Sequence, residues 1–448
     1  MNSSSLFLEN VTNNKISILS LGCSKNLVDS ERLAHRFSAS GFDTDFVDDV
    51  PADGSSLIIN TCGFIGDAKE ESIENILQAL KNKEEGLLDS VYVMGCLTER
   101  YRSELSEEFE SADGIYGKFD WENIIKDVTS KAASIARPWE RQLSTAPHYT
   151  YIKISEGCDR FCAFCAIPLI TGRHHSRPVE QIIEEVEELA KKGTREFNII
   201  AQDLSSYGKD LPGRQSRLAE LIDRMATIDG VEMIRLHYAY PSDFPYDILP
   251  VMARHANVCK YLDIALQHSD DTVLSNMRRH ITARETRELL ARIRREVPGI
   301  HIRTTMMVGF PGETEEAFEN LLQFVKEQRF ERLGAFAYCE EDDTFAAKNF
   351  DDVIPQVEKD RRVERLMAEQ EKIALEVAES KIGSVLRVII DEKQDGYYIG
   401  RTEYDSPEVD CIVIVKTDAD LEIGRIYPVL IEETDGFDLI GQLSSQHS

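Results

Sequence analysis

The chain has no apolar run that approaches the roughly 18 residues a membrane-spanning helix needs. Its N-terminus lacks a basic segment ahead of an apolar core, so we do not expect a secretory signal. The chain has 448 residues, of which 42% are hydrophobic and 29% are charged. This composition predicts a globular, cytoplasmic protein of two or three domains.

Cysteine is sparse as well, with nine in the whole chain, which excludes the disulfide-rich scaffold of small secreted proteins. Six of the nine lie at the ends of predicted strands or in one tight run, and this pattern suits metal binding in a reducing compartment. The other three lie in apolar sequence and are predicted to be buried core thiols: Cys259, Cys339 and Cys411.

Positive charge is in short supply, with 51 Lys and Arg against 80 Asp and Glu, a net charge of −29. A protein this acidic repels phosphate backbones unless it carries a local basic patch. The charge therefore favours a basic macromolecular partner over a nucleic acid, although an acidic surface also serves simply to keep a protein dissolved.

The tight run is Cys158, Cys162 and Cys165, spaced C-x3-C-x2-C. Three thiolates this close can bind three irons of a 4Fe–4S cube, because such clusters use soft sulfur ligands. No fourth cysteine follows, so one iron is left open to a small molecule. A closed zinc site, which would need a fourth ligand, is the second interpretation, and three structural cysteines are the third.

Residues 14–131 are predicted to form an α/β domain with a parallel sheet, because short apolar runs alternate with helical patterns. Three predicted strands end beside a glycine and a cysteine: 16–21, 57–61 and 91–94. Since ligand sites of open α/β sheets lie at the carboxyl edge, Cys23, Cys62 and Cys96 should converge there. The pattern predicts a second three-cysteine cluster, again with an open iron.

Residues 144–375 contain six strand-like runs with helical patterns between them: 151–155, 196–201, 233–237, 261–266, 302–308 and 332–338. This order predicts a partial (β/α)6 barrel whose active site lies at the carboxyl ends of the strands. The candidate residues there are Gln202, Asp203, His237, Tyr240, Gln267 and His268, with Arg303 just inside the fifth strand. Each could equally be a loop cap or a packing residue. The loop at Gly309 could approach a flat ligand such as adenine, but a tight turn would need the same residues.

Residues 382–445 are predicted to form a small five-stranded β-barrel, because short alternating runs are separated by turn glycines. Such modules often bind RNA, which requires basic and aromatic surface. From residue 382 onward there are five basic and fourteen acidic residues, a net charge of −9. The barrel is therefore better suited to a cationic protein than to RNA.

The C-x3-C-x2-C run near the first barrel strand resembles the radical S-adenosylmethionine superfamily. The order of a three-cysteine domain, a radical barrel and a terminal TRAM-like barrel is similar to the methylthiotransferases. Within that family the chain looks like the RimO-type branch, which modifies an aspartate of small-subunit ribosomal protein S-twelve. The phrases that carry this likeness are 20–31, 200–204 and 236–241. The branch that modifies tRNA adenosines usually has Gln-Met-Asn where this chain has Ser24-Lys25-Asn26.

The resemblance implies two 4Fe–4S clusters and S-adenosylmethionine as cofactors. It implies that the cluster at Cys158, Cys162 and Cys165 cleaves S-adenosylmethionine to a radical, and that the cluster at Cys23, Cys62 and Cys96 carries the sulfur that is transferred. Expected contacts to S-adenosylmethionine are Gln202, Gln267, Arg303 and Gly309. The expected partners are the ribosomal protein and a flavodoxin-like electron donor, and no acid–base catalytic side chain is expected.

Two alternatives stay open at this point. A tRNA adenosine methylthiotransferase would use the same chemistry but would need a terminal barrel that binds tRNA. A non-catalytic iron–sulfur carrier is disfavoured, because carriers generally close all four iron sites with protein ligands.

Overall fold

The computed structural model describes residues 14–129 and 137–444. The chain divides into two compact units at the junction of Ser144 and Thr145. The predicted domain ends at 131 and 445 lie outside the described residues. Within the described ranges, no helix is both long enough and apolar enough to cross a membrane.

The first unit is built on a five-stranded sheet with the strands β1 Lys15–Ser20, β2 Asp43–Val47, β3 Ser56–Thr61, β4 Ser90–Gly95 and β5 Gly114–Ile115. Their order is β2-β1-β3-β4-β5, and every neighbouring pair is parallel. The predicted parallel sheet is confirmed, but the sequence indicated only β1, β3 and β4. Strand β2 was missed because acidic residues interrupt its apolar pattern, and β5 because it has only two residues.

Helices cover both faces of this sheet: α1 Ser24–Ala39, α2 Gly66–Glu84, α3 Cys96–Arg100, α4 Arg102–Glu108 and α5 Trp121–Thr129. Successive strand residues point to opposite faces, so Leu57 and Ile59 pack on one side while Ile58 packs on the other. Burial on both faces is why the strands of this parallel sheet appear in the sequence as nearly continuous apolar runs.

The second unit begins with a larger sheet and a short antiparallel pair. Its strands are β6 Tyr149–Lys153, β7 Ser155–Glu156, β8 His175–Ser176, β9 Glu196–Ile200, β10 Met233–Ala239, β11 Val258–Ile264, β12 His301–Val308 and β13 Arg332–Ala337. Six of them form a parallel sheet in the order β13-β12-β11-β10-β9-β6, and β7 pairs with β8. Because each long strand lies beside the one before it, this is the predicted partial six-stranded barrel.

The helices of the second unit are α6 Ile167–Thr171, α7 Val179–Lys191, α8 Leu218–Met225, α9 Ile248–Arg254, α10 Asp271–Asn276, α11 Ala283–Glu296, α12 Glu315–Gln328, α13 Phe345–Asn349 and α14 Gln356–Glu379. Helix α7 buries Ile182, Val186 and Leu189 at the spacing of one helical face. Helix α11 begins at Thr282, whose side chain forms a reciprocal capping box with Glu285.

A closed β-barrel ends the chain, with the strands β14 Val385–Gln394, β15 Tyr397–Thr402, β16 Val413–Lys416, β17 Ile426–Asp435 and β18 Asp438–Leu443. Its interior holds branched side chains such as Val388, Val413 and Ile431. Two inward glycines are needed, because a Cβ at Gly400 or Gly441 would overlap a carbonyl oxygen of the neighbouring strand. The predicted five-stranded barrel is confirmed.

The connection between β15 and β16 packs against the six-stranded sheet near the amino-terminal ends of its strands. Asp410 accepts a hydrogen bond from Arg303 at 2.6 Å, and Asp405 accepts one from Arg332 at 2.6 Å. Glu196, the first residue of β9, is paired with Arg401 of β15 at 2.8 Å. Part of the acidity of the β-barrel therefore serves ion pairs inside this unit.

Candidate functional site

Cys23, Cys62 and Cys96 follow three adjacent strands of the first sheet. Cys23 is the N-cap of α1, Cys62 comes directly after β3, and Cys96 begins α3 after β4. The pKa of Cys96 is raised to about 12, mainly by burial; Lys118 lowers it, and the neighbouring Cys23 and Cys62 thiols contribute to the rise. The structure thus brings all three thiols into one electrostatic neighbourhood.

Glycines let the three strand ends approach each other closely. Gly22 has a φ of +86°, and a Cβ on it would lie 2.7 Å from Cys62 Sγ. Gly95 has a φ of +118°, and a Cβ there would lie 2.5 Å from the carbonyl oxygen of Thr61. Real Cβ atoms do not tolerate such distances, so the cradle around the thiols requires glycine at both positions.

A buried polar network supports this trio, and the sequence did not indicate it as part of the site. The Cys96 thiol donates to Asn26 Oδ1 at 3.3 Å, and Lys118 Nζ donates to the same oxygen at 3.2 Å. Lys118 is also paired with Asp29 at 2.7 Å. Asn26 and Asp29 follow Cys23 closely in the sequence, and this proximity is the feature from which their position in the site could have been predicted.

Cys158, Cys162 and Cys165 lie in the loop between β7 and α6. The loop is fixed by its backbone, since Cys158 N donates to the Gly172 oxygen at 3.2 Å and Cys165 N donates to the Cys162 oxygen at 3.1 Å. Gly157 enters the loop with a φ of +79°, and a Cβ there would overlap the Arg173 carbonyl oxygen. The positive φ and this close approach explain why glycine precedes the first cysteine.

The thiols of this second trio also influence one another. The pKa of Cys158 is raised to about 12, mainly by burial, with a contribution from the nearby Cys162 thiol. The pKa of Cys165 is raised by burial and by both of the other two thiols. Metal binding at Cys158 and Cys165 would therefore have to displace the protons of their thiols.

The donor set at each place is three soft sulfurs, which suits an iron–sulfur cluster with one iron lacking a protein ligand. Across the described ranges, no group of three or more His, Cys, Asp or Glu side chains is arranged to hold a single metal ion. A closed zinc site needs four protein ligands, and each of these donor sets supplies three. The residues therefore suit a cluster with an open iron.

Two of the predicted S-adenosylmethionine contacts have unused hydrogen-bonding capacity. Gln202 follows β9 and Gln267 follows β11, and the side-chain carbonyl oxygen of each is buried without a hydrogen-bond partner. Gln267 also holds a φ of +74°, which is uncommon for a residue other than glycine. Unsatisfied buried acceptors are rare, so these oxygens suit a ligand that donates hydrogen bonds, such as the amino group of S-adenosylmethionine.

The other two predicted contacts have protein partners. Gly309 donates its N–H to Glu313 at 2.8 Å, and a Cβ there would overlap Lys359, so packing alone requires glycine at this position. Arg303 is the third residue of β12, and its guanidinium donates to Asp410 at 2.6 Å. Gln267 lies further along the same strand pairing, opposite Met306.

The remaining candidates at the carboxyl edge differ in their surroundings. Asp203 is paired with Arg160 of the cysteine loop at 2.6 Å. His268 is fully buried and lies 3.4 Å from Glu313. Tyr240 lies 3.4 Å from Cys162 Sγ, and Arg279 donates to the same sulfur at 3.2 Å. The sequence did not indicate Arg160 or Arg279, although Arg160 lies inside the cysteine run.

The three cysteines outside the two trios were predicted to be buried. Cys259 is buried and Cys411 is half-buried, but Cys339 is exposed, so the prediction is wrong there. Cys339 comes two residues after β13, where the chain leaves the sheet and turns towards solvent.

Comparisons with known families match most of the chain. The model of the radical SAM superfamily matches residues 152–325, that of the TRAM domain matches 382–443, and that of the uncharacterized protein family UPF0004 matches 15–117.

Curated relatives cover nearly the full length. The ribosomal protein uS12 methylthiotransferase RimO of Phocaeicola vulgatus is 55% identical over 431 residues, which is 96% of this chain and 99% of the relative. The protein of the same name from Porphyromonas gingivalis is 54% identical over 96% of this chain and 99% of the relative. That from Cytophaga hutchinsonii is 45% identical over 96% of this chain and 98% of the relative.

Solved structures share the fold at low identity. The radical S-adenosylmethionine methyltransferase TsrM from Kitasatospora setae, with cobalamin and a [4Fe-4S] cluster bound, has a TM-score of 0.56 at 14% identity and covers 86% of this chain and 80% of its own. The cobalamin-dependent radical enzyme OxsB has a TM-score of 0.51 at 12% identity, covering 80% and 56%. At these identities the likeness establishes the fold alone.

Proposed function

The chain belongs to the RimO-type family of ribosomal protein methylthiotransferases, and we propose that it attaches a methylthio group to the β-carbon of an aspartate in ribosomal protein uS12. It is an enzyme of the radical S-adenosylmethionine type, with iron–sulfur clusters and S-adenosylmethionine as cofactors. The observation that carries the proposal is the 55% identity to a curated relative over 96% of the chain.

We assign the cluster that cleaves S-adenosylmethionine to Cys158, Cys162 and Cys165. The auxiliary cluster is assigned to Cys23, Cys62 and Cys96. When bound, these groups supply an electron for the cleavage and the sulfur that is transferred. The assignment is supported by the donor sets, by the glycine cradles and by the burial of most of these thiols.

The protein's own side chains bind and orient the reactants. Gln202 and Gln267 are proposed to accept hydrogen bonds from S-adenosylmethionine, since their buried carbonyl oxygens have no protein partner. Gly309 and Arg303 are the other two proposed contacts, and each also has a protein partner. Abstraction of hydrogen from an unactivated carbon needs a radical, so the protein contributes position and exclusion of water rather than acid–base chemistry.

The three segments 14–131, 144–375 and 382–445 are proposed to act as the sulfur-donating, radical-generating and substrate-binding modules. In the last of them, Glu432, Glu433 and Asp435 on β17 are exposed, and they suit a basic protein. The tRNA alternative is less supported, because the curated relatives named above act on a ribosomal protein and the β-barrel is acidic.

The further partners follow from the chemistry. Cleavage of S-adenosylmethionine consumes one electron, so we propose a low-potential donor of the flavodoxin type. A ribosomal substrate places the enzyme in the cytoplasm in this proposal.

The test is mass spectrometry of uS12 and nucleoside analysis of tRNA from cells that lack this gene. We expect the aspartate of uS12 to lose its methylthio group and to regain it with the wild-type gene but not with Cys158→Ala. Methylthio nucleosides in tRNA should stay unchanged. A uS12 that remains modified without the gene, or a loss confined to tRNA, would overturn the proposed substrate.

A further inference from the structure

Two arginine guanidinium groups lie close to the ring of Tyr240, beside the proposed radical cluster. The guanidinium of Arg160 lies 4.2 Å from the centroid of the Tyr240 ring, and that of Arg279 lies 4.1 Å from it. Tyr240 and Arg279 are buried, with exposed fractions of 6% and 2%. Buried cations are costly unless anions or hydrogen-bond acceptors compensate them, so the partners of each arginine are informative.

The two arginines are compensated differently. Arg160 is paired with the carboxylate of Asp203 at 2.6 Å. Among the described residues Arg279 makes no ion pair with a carboxylate; its Nη1 donates to Cys162 Sγ at 3.2 Å and its Nη2 donates to the Ala265 oxygen. Its Nε is buried without an acceptor. The ligand sulfur is therefore the group beside Arg279 that becomes anionic once a metal is bound.

The backbone on either side of Arg279 is strained, and this conformation places the Arg279 guanidinium beside the Cys162 sulfur. Arg278 and His280, on either side, have φ values of +57° and +52°. Residues other than glycine occupy this region only when the surrounding structure imposes it. The same turn is tied to the cysteine loop, because Ala163 N donates to the Met277 oxygen at 2.9 Å.

Tyr240 can also donate a hydrogen bond to the Cys162 sulfur, but unlike Arg279 it has a single proton to donate. Its single hydroxyl proton has two possible acceptors, Cys162 Sγ at 3.4 Å and the Arg279 carbonyl oxygen at 3.2 Å. The planar Arg279 guanidinium, by contrast, has several N–H donors and donates to the sulfur and to the Ala265 oxygen at the same time.

We propose that Arg279 is a positioning residue that donates a hydrogen bond to the Cys162 sulfur and thereby sets the reduction potential of the radical cluster. This inference rests on the proposed assignment of that cluster to Cys158, Cys162 and Cys165. Reduction adds a negative charge, which a buried cation and an N–H···S hydrogen bond both stabilise. Arg279 therefore makes the cluster easier for its electron donor to reduce.

The test uses the full chain with Cys23, Cys62 and Cys96 changed to Ala, so that a single cluster contributes to the electron paramagnetic resonance signal. In this parent, Arg279→Gln removes the charge, Arg279→Lys keeps the charge but cannot reach both acceptors, and Arg278→Gln is the matched control. Arg278 belongs to the same turn, but its guanidinium lies over the ring of Phe345 at 4.5 Å. Iron and sulfide content and the midpoint potential are measured for each protein.

We expect Arg279→Gln to lower the equilibrium constant for one-electron reduction about tenfold, which corresponds to about 59 mV more negative. Arg279→Lys should give a smaller shift in the same direction, and Arg278→Gln should match the parent. Equal potentials for Arg279→Gln and Arg278→Gln, with full iron in both, would overturn the role of Arg279.

Two further outcomes are decisive. If Arg279→Gln loses its iron while Arg278→Gln keeps it, Arg279→Lys decides: a lowered potential supports the proposal and an unchanged one overturns it. If the parent itself holds no iron, the cluster assignment fails, which is distinct from a cluster that assembles fully and ignores Arg279.

Discussion

At the scale of single residues, the position of each cysteine thiol depends on the backbone conformation of its neighbours. Each trio depends on a glycine with positive φ that lies next to one of its cysteines, Gly22 before Cys23 and Gly157 before Cys158. In both cases a Cβ would collide with a group that shapes the site. These glycines carry no chemistry, yet we expect them to be as sensitive to substitution as the ligands.

Gly157→Ala should remove the radical cluster and leave the auxiliary one. The added Cβ would overlap the Arg173 oxygen, whereas a Cβ at the control Gly299, with a φ of +80°, would meet nothing within 4 Å. Gly299→Ala should therefore keep the iron content of the wild type. Iron content after anaerobic reconstitution should fall to about half in Gly157→Ala, given two clusters of equal iron content. Full iron in Gly157→Ala would contradict the account of this loop.

Gly22→Ala should remove the auxiliary cluster and leave the radical cluster. Its Cβ would lie 2.7 Å from Cys62 Sγ, whereas a Cβ at Gly41, with a φ of +94°, would have open space. Iron content should again fall to about half, while reductive cleavage of S-adenosylmethionine by the remaining cluster persists. Gly41→Ala should retain both clusters. Loss of S-adenosylmethionine cleavage in Gly22→Ala would show that the two sites do not assemble independently.

At the scale of elements, the connection between β15 and β16 joins the closed barrel to the six-stranded sheet. Glu196 is fully buried between Arg401 at 2.8 Å and Arg235 at 3.2 Å. Burial raises the pKa of the Glu196 carboxyl, but the two arginines outweigh it and hold the pKa at about 2. We infer that the six-stranded sheet and the terminal barrel stabilise each other as one unit.

Glu196→Gln should destabilise this unit by about 3 kcal/mol, because it leaves the buried Arg235 guanidinium without its carboxylate partner and Arg401 with Asp391 alone. The control is Glu180→Gln, which breaks an exposed ion pair with Arg224. Both hydrogen bonds of that pair are 2.7 Å long. Exposed pairs contribute little, so this variant should melt like the wild type. Thermal unfolding followed by circular dichroism measures both, and equal melting temperatures for the two variants would refute a structural role for Glu196.

The same pair predicts a pH dependence. The folded pKa of Glu196, about 2, lies below the ordinary value of 4.5, so its stabilising effect is complete above pH 4.5 and is lost as pH falls towards 2. The difference in melting temperature between wild type and Glu196→Gln should therefore be constant above about pH 5 and should narrow below it. A difference that already narrows between pH 8 and pH 6 would point to another titrating group.

At the scale of the whole molecule, the net charge of −29 should matter for the rate at which a basic substrate is captured. Opposite net charges steer association, and salt screens this attraction over about 8–10 Å. The ion pairs inside the second unit do not contribute to steering, so the exposed acidic residues of β17 are the better candidates.

Charge reversal by Glu432→Lys with Asp435→Lys should slow association with purified uS12 by about threefold or more at low salt, and the difference should vanish at high salt. The matched control is Glu184→Lys with Glu187→Lys, which makes the same change in net charge on the exposed face of α7. Stopped-flow association measures both. Equal slowing by the two pairs would mean that total charge, rather than the β-barrel, guides the substrate.

The sequence by itself determined the two parallel sheets, the closed barrel and the two sets of cysteines. Each of these is written in local patterns: apolar runs of strand length, turn glycines, and cysteines at fixed spacing or at strand ends. Strand β2 was not predicted because acidic residues interrupt its apolar pattern. The exposure of Cys339 was not predicted because local hydrophobicity does not show where the chain leaves the sheet.

Only the tertiary structure decided which distant side chains meet. Arg279 lies 117 residues from Cys162 in the sequence, and no sequence pattern predicts their contact. Arg303 donates to Asp410, 107 residues away, and the local sequence around Arg303 does not predict this pair. Contacts between distant residues depend on how the elements pack, so the partners of a charged side chain follow from the folded structure and not from its neighbours in sequence.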